Sequence, residues 1–360
     1  MSALLARAAD RVPPLARRRA RDRGLKIVFV GTGVIGGSIG AWVAPQYDRL
    51  YFLDRGDTAR ALRDNGLTVY PGDRPGQRYT VRVKVIDDLA EVPDADVVML
   101  GVKNYGLDAA AQAVRDRLGD RPVVVGLQNG AENQRVLPRY FSRCAYCVVC
   151  YNAWADAPGV IGYQKRGPLV LGTPDNRLRD ELADIARVLG LGVETVVTDH
   201  LGDAVHGKLV INLTNSLTTL IGHRVRPISD DALFQRLLTN LMWEGVEVVR
   251  AAGFGECRLG GMPSWKVIWA GSHLPRAVTR PLFERNVAKM VMSSMAQDIL
   301  QRGGHESELE TINGHILALA DQHGVAVPYN RAVYDLCCRE FARERFEPLD
   351  VTEVWAAVKG

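Results

Sequence analysis

Three glycines set the first chemical constraint. Gly31, Gly33 and Gly36 form G-x-G-x-x-G between an apolar run that ends at Val30 and an apolar helical pattern, the context in which this motif cradles the pyrophosphate of a dinucleotide. Gly31 permits the tight turn, Gly33 lets the backbone approach the phosphates, and Gly36 lets helix and strand pack closely, which leaves the phosphates at the positive end of the helix. Thr32, Val34 and Ile35 complete the loop. The next apolar run ends in Leu53, Asp54 and Arg55. An acidic side chain there accepts from the ribose 2′-OH of NAD, whereas an arginine neutralises the 2′-phosphate of NADP. A one-residue register decides which of Asp54 and Arg55 faces the adenosine. Cys144, Cys147 and Cys150 are spaced like part of an iron–sulfur or zinc motif. They lie, however, in an apolar, β-branched run from Cys144 to Tyr151 that reads as a strand, and no Cys or His pair with ligand spacing follows closely. Buried thiols and no metal are therefore expected.

The elements around the glycines are those of a βαβ unit: a strand from Lys26 to Val30, a helix through Val43 and a second strand from Leu50 to Leu53. Further strand-like runs follow at Thr80–Val85, Val97–Val102 and Val123–Leu127, separated by turns and by helical stretches such as Gly106–Leu118. That alternation predicts an α/β fold, a Rossmann-type doubly wound parallel sheet. After Asp199 the pattern turns helical, over Asp203–Leu220, Asp230–Ala252, Pro281–Arg302, Glu306–His323 and Asn330–Arg345. Between Gly253 and Arg280 a Gly- and Pro-rich stretch reads as a loop-like excursion, interrupted by the apolar segment around Trp265 to Trp269. The expected organisation is a basic flexible arm over 1–24, a dinucleotide-binding domain over 25–198 and an all-α C-terminal domain over 199–360.

Composition narrows the function classes. With 47% hydrophobic and 24% charged residues the 360-residue chain is ordinary for a globular protein, and no apolar run approaches the roughly 20 residues that span a bilayer. Much of the net charge of +4 sits in the first 26 residues, where Arg7, Arg11, Arg17, Arg18, Arg19, Arg21, Arg23 and Lys26 face only Asp10 and Asp22. A short basic run without interleaved aromatics gives nonspecific attraction only, so a nucleic-acid partner is not expected. The arm lacks the apolar stretch of a secretory signal, and six cysteines in a chain this long do not make a disulfide scaffold. A cytoplasmic location with free thiols is the expectation.

Several motifs together resemble the ketopantoate reductase (2-dehydropantoate 2-reductase) family. In order they are V-G-T-G-V-I-G-G from Val30, G-V-K-N-Y from Gly101, L-Q-N-G from Leu127, K-L-V-I-N-L-T-N from Lys208, S-S-M-A-Q-D from Ser293 and S-E-L-E-T-I-N-G from Ser307. The resemblance implies reduction of 2-dehydropantoate to (R)-pantoate, in the pathway to pantothenate and coenzyme A. It implies that Lys208 is the general acid that protonates the 2-keto oxygen as hydride arrives. An ammonium suits that step: it donates to a developing alkoxide and stabilises its charge, and burial would bring its pKa toward neutrality. Lys208 begins an otherwise apolar helix with Asn212 four residues on, hence on the same face.

By the same resemblance Asn212 and Asn215 hold the substrate's hydroxyl and carboxylate, Ser294 binds the carboxylate, and Glu308 contacts substrate and sets the lysine's state. The family more often has its second asparagine four residues after the first, where this chain has Ser216. Gly303 and Gly304 read as an insertion, so Glu308 is assigned from the following Ile312 to Gly314, with Glu306 as the alternative. Lys103 and Asn129 follow predicted strand ends, where an open α/β sheet places its ligand. The resemblance puts Lys103 near the cofactor ribose and the substrate, and Asn129 near the nicotinamide. It favours NADP(H), while Asp54 keeps NAD(H) in play. The expected partner is a small 2-oxo acid, and a homodimer is left open. Two rivals remain: a relative acting on a different 2-oxo acid, and a catalytically silent dinucleotide sensor, since a Rossmann fold alone does not imply chemistry. The sensor would have no physical reason to keep Lys208 and Glu308.

Overall fold

The structure, a computed structural model, describes residues 24–258, 261–301 and 307–359. Residues 1–23 of the basic arm, the Gly303–Gly304 insertion and Glu306 lie outside the described residues. Residues 24–128 and 132–199 form one compact unit, and residues 129–131 with 200–359 form a second.

The strands of the first unit are β1 (Ile27–Val30), β2 (Leu50–Leu53), β3 (Leu67–Pro71), β4 (Tyr79–Val81), β5 (Lys84–Ile86), β6 (Val97–Leu100), β7 (Val123–Gly126), β8 (Cys144–Val149), β9 (Ala153–Ala157), β10 (Val160–Tyr163), β11 (Leu169–Gly172) and β12 (Thr195–Val197). Its helices are α1 (Gly33–Val43), α2 (Gly56–Asn65), α3 (Asn104–Leu118), α4 (Glu132–Val136) and α5 (Arg179–Leu189). Eight strands form one sheet in the order β12-β11-β8-β7-β6-β1-β2-β5. Every neighbouring pair in it is parallel except β8 with β11. The central strands are buried throughout, which is why β1, β6 and β7 are unbroken apolar runs with no in–out alternation.

A second sheet, of order β4-β3-β10-β9, was not expected from the sequence. The single run anticipated at Thr80–Val85 divides at Arg82 and Val83, with β4 joining this sheet and β5 joining the edge of the large one. Helix α1 explains the second sheet. It is apolar on all sides and buried from Gly36 to Val43, so it needs a cover on each face. On one side Gly40 approaches Phe52 of β2; on the other Gly37 approaches Leu67 of β3 and Ile161 of β10. Trp42 meets Tyr151 and Tyr163 with ring centroids 5.1 Å apart in each case. Cys147 and Cys150 are buried and Cys144 half-buried, all in or just after β8.

The second unit is helical: α6 (Leu201–Asn212), α7 (Thr214–Leu220), α8 (Asp231–Ala251), α9 (Trp265–His273), α10 (Arg276–Ala288), α11 (His315–His323), α12 (Pro328–Phe341) and α13 (Val351–Lys359). A short turn at Ser294–Ala296 runs into a π-helical stretch, Gln297–Gln301, and another, Glu310–Gly314, leads into α11. Asp230 caps α8 through the amides of Ala232 and Leu233. The buried carboxylate of Glu244 accepts the amides of Tyr329 and Asn330 at 2.9 Å, so α8 caps the start of α12 from outside, and burial raises the pKa of Glu244. The stretch expected to be loop-like is largely helical, forming α9 and the start of α10. Pro281 is not a helix start but lies inside α10, where Pro275 is the N-cap. A proline's fixed φ fits both places, and local sequence does not separate them.

Candidate active site

In the first unit the carboxyl ends of β1, β2, β6 and β7 are brought level by the register, which pairs Val30 with both Leu53 and Leu100, and Leu100 with Gly126. The residues that follow these ends therefore share one edge: the glycine loop, Asp54 and Arg55, Gly101 to Lys103, and Leu127 with Gln128. Gly31 has φ +74°, and a Cβ placed on it would stand 2.5 Å from Val102 Cγ1 and 3.0 Å from the Val102 amide nitrogen. Only glycine fits there. A Cβ on Gly36 would lie 3.2 Å from the Gly31 carbonyl oxygen, so close packing of helix on loop sets that position. At Gly33 the nearest heavy atom to such a Cβ is 3.8 Å away, leaving the loop open on that side.

Thr32 is the N-cap of α1 and Val34 and Ile35 lie in its first turn, which carries no acidic residue and no side-chain cap. The amides of Gly33, Val34 and Ile35 are thus not claimed by any described side chain, and the Thr32 hydroxyl is buried without a partner among the described residues. Such an end attracts an anion. Asp54 is half-buried, its Oδ2 accepting the Thr32 amide at 2.7 Å and its Oδ1 the Arg55 amide at 2.8 Å. Arg55 is exposed and precedes α2. Lys103 is half-buried at the start of α3. One residue of this edge escaped the sequence reading. Gln128 donates to the carbonyls of Leu100 and Val102 at 2.9 and 2.8 Å, and so pins the loop that carries Lys103.

In the second unit Lys208 and Asn212 lie on α6 and Asn215 on α7, with Leu213 between them in right-handed helical conformation. At about 100° per residue the three side chains fall within about 60° of one another around the helix. All three residues are half-buried. Neither asparagine side chain hydrogen-bonds to any described residue, and the same holds for Ser294, in the first turn after its cap. The cap is Ser293, which takes the Ala296 amide and meets Thr219 Oγ1 at 3.3 Å. Arg224 supports this turn by donating to the carbonyls of Val287, Ala288 and Met290 at the end of α10. Ser216 is fully buried and accepts from Asn313 Nδ2 at 2.9 Å, so its hydroxyl belongs to the core. Glu308 is 6% exposed and accepts from Asn129 Nδ2 at 3.2 Å, since the Asn129–Ala131 segment belongs to this unit.

Behind the lysine face, His206 stacks on Phe254 at 3.6 Å and meets His315 Nε2 at 3.3 Å. Burial lowers its pKa to about 4, so the ring is neutral. No cluster of three or more metal-ligating side chains occurs among the described residues, and no described helix is long and apolar enough to cross a membrane.

Comparison with known proteins decides the family. The profile described as ketopantoate reductase PanE/ApbA matches residues 27–176, and that of its C-terminal part matches residues 201–339. The chain belongs to the ketopantoate reductase family. It is an oxidoreductase of that type, and curated relatives cover nearly its whole length. The 2-dehydropantoate 2-reductase of Halobacterium salinarum is 28% identical over 87% of this chain and 97% of its own. That of Archaeoglobus fulgidus is 25% identical over 86% and 96%. Among solved structures, a PanE/ApbA family ketopantoate reductase from Ralstonia eutropha has a TM-score of 0.65 at 24% identity, covering 93% of this chain and all of the other. A D-mandelate dehydrogenase with NADH and anilino(oxo)acetate reaches 0.71 at 17% identity over 90% of this chain and 100% of its own. At these identities the structural likeness establishes the fold. For a ketopantoate reductase, then, the sheet edge and the lysine face are the two parts of the molecule whose chemistry has to be explained.

Proposed function

We propose that this protein reduces 2-dehydropantoate to (R)-pantoate, with hydride from a reduced nicotinamide dinucleotide and a proton from Lys208. The observation that carries the reading is the Lys208, Asn212 and Asn215 stripe. A cation and two amides share one helix face, and the amides have no partner among the described residues. Half-buried amides without partners are unfavourable in a purely structural role and suit a polar ligand. The names of the curated relatives supply the substrate.

The sheet edge fits a dinucleotide, because the open side of Gly33, the uncapped amides of α1 and the orphaned Thr32 hydroxyl are features a pyrophosphate would use. Gly31, Thr32, Gly33, Val34, Ile35 and Gly36 would hold it, with Asp54 at the adenosine ribose, Lys103 at the other ribose and Asn129 by the nicotinamide. When bound, the reduced nicotinamide supplies the hydride. As the C2 carbonyl carbon gains that hydride, the π electrons move to the oxygen and Lys208 Nζ delivers a proton there, giving the 2-hydroxyl. Asn212 and Asn215 orient the substrate hydroxyl and carboxylate, Ser294 donates to the carboxylate, and Glu308 contacts substrate and helps set the state of Lys208.

The test is loss of reduced-nicotinamide absorbance with 2-dehydropantoate, using NADH and NADPH in parallel. Lys208→Ala is expected to lower kcat by roughly 10² or more. Turnover that survives in this variant would remove Lys208 from the chemistry. No turnover in the wild type with either dinucleotide would move the substrate to another 2-oxo acid.

A further inference from the structure

We propose that the Asp54 carboxylate selects the unphosphorylated dinucleotide, so that this chain uses NADH in preference to NADPH. The inference rests on the dinucleotide reading above and concerns only the adenosine end of the cofactor. Its starting point is position. Leu53 pairs with Val30, so Asp54 leaves the sheet beside Gly31. It is fixed there by its two bonds, Oδ2 to the Thr32 amide at 2.7 Å and Oδ1 to the Arg55 amide at 2.8 Å. In both bonds a carboxylate oxygen is the acceptor. A carboxylate has about four acceptor positions, so about two remain for the vicinal hydroxyls of a ribose.

A 2′-phosphate changes the balance. It brings a charge of about −1.5 to −2 and essentially no donor at neutral pH. Set beside Asp54, it would leave the carboxylate's remaining acceptors unmet and place like charges in contact. The carboxylate cannot turn away without abandoning the Thr32 amide, which belongs to the pyrophosphate loop.

Two features could favour the phosphate instead, and neither matches this. Arg55 is exposed and its side chain makes no ion pair or hydrogen bond among the described residues, so any pair it formed would be screened and would order a long side chain. The amino end of α2 is the other source of positive potential, and Asp57 in its first turn already complements it. A held, half-buried anion therefore outweighs a solvated cation one residue on. The register that sequence alone left open is settled by which side chain the backbone grips.

Calorimetric titration of the full chain with ADP-ribose and with 2′-phospho-ADP-ribose isolates this contact from catalysis and from the nicotinamide. Wild-type protein is expected to bind ADP-ribose at least about tenfold more tightly, the discrimination available to a site built to hydrogen-bond a hydroxyl. Asp54→Asn keeps an acceptor for the Thr32 amide while removing the charge, and should shrink that ratio to about threefold or less. Arg55→Ala should leave both affinities within about threefold of wild type. Tighter binding of the phosphorylated probe, abolished by Arg55→Ala, would overturn the inference while leaving the dinucleotide reading intact. Binding of neither probe by the wild type would overturn both. If Asp54→Asn does not fold, the wild-type ratio and the Arg55→Ala variant still decide between the two outcomes.

Discussion

The sheet edge and the lysine face solve different problems with different materials. At the edge the chemistry is made by main chain: a left-handed glycine, the leading amides of α1, and a carboxylate whose known bonds all go to backbone amides. On the face it is made by side chains, a lysine and two asparagines whose amides meet no described residue, mounted on helices whose opposite side packs against the core. A backbone-built site cannot be altered without altering the fold that makes it. A side-chain-built site can be. Stability and function should therefore be inseparable at the first and separable at the second.

The largest expected effect comes from Gly31→Ala. A left-handed φ and a Cβ 2.5 Å from Val102 Cγ1 should together cost roughly 3 kcal/mol of stability. Dinucleotide affinity should fall with it, because the same turn aims the loop amides. Adding Val102→Ala removes the side-chain clash but neither the φ strain nor the 3.0 Å approach to the Val102 amide nitrogen. Chemical denaturation should then show partial rescue. Full rescue would mean that backbone conformation is not what requires glycine at this turn.

The same contrast explains what could be read in advance. The glycine loop is a local pattern in which spacing and flanking strand and helix sit within a dozen residues, so its geometry is legible from the chain. The large sheet is legible because its central strands are continuous apolar runs. The second sheet is not: β4 has three residues, β9 is mostly exposed, and their pairing is dictated by the outer face of α1. The only hint is that α1 is apolar on every side, which calls for two covers. Gln128 and Asn313 are polar residues in motifs, and sequence does not say whether such a residue faces a ligand or a neighbouring carbonyl. Ser216 carries the same ambiguity, and its bond to Asn313 resolves it toward the core.

A second test separates the units by pH. All seven histidines follow Asp199, so titration between pH 7 and 5 acts on the second unit and spares the first. His206 has a folded pKa lowered to about 4, from an ordinary 6.5, because burial penalises the charged ring, with nearby His315 adding to the shift and Asp203 opposing it. The neutral ring is what folds. Its contribution is full above pH 6.5 and is lost as pH falls toward the folded value, amounting to about 2 kcal/mol of destabilisation at pH 5. Hydrogen exchange should show amides around α6 and α11 losing protection over this range while those of β1 and β6 hold. His206→Leu should flatten the dependence. Equal loss in both units would show that the acid response is global.

The smallest and most discriminating effect lies between two adjacent residues. Asn215 and Ser216 are neighbours on α7, yet the first presents a side-chain amide with no partner among the described residues and the second is fully buried, bonded to Asn313 and to the Leu213 carbonyl. Asn215→Ala removes a group proposed to hold substrate and bonded to no described residue, so kcat/KM should fall by about tenfold while stability stays within about 0.5 kcal/mol. Ser216→Ala orphans the buried Asn313 amide, whose Oδ1 already lacks a partner, and should cost about 1–2 kcal/mol. Among the molecules that stay folded, kcat/KM should be nearly unchanged. Kinetics and thermal melts on both variants read the two axes at once. If Ser216→Ala lost activity without stability, the ligand-facing side of the helix would have been assigned one residue out of register. Because successive residues lie about 100° apart around a helix, Lys208 and Asn212 would then need reassignment as well.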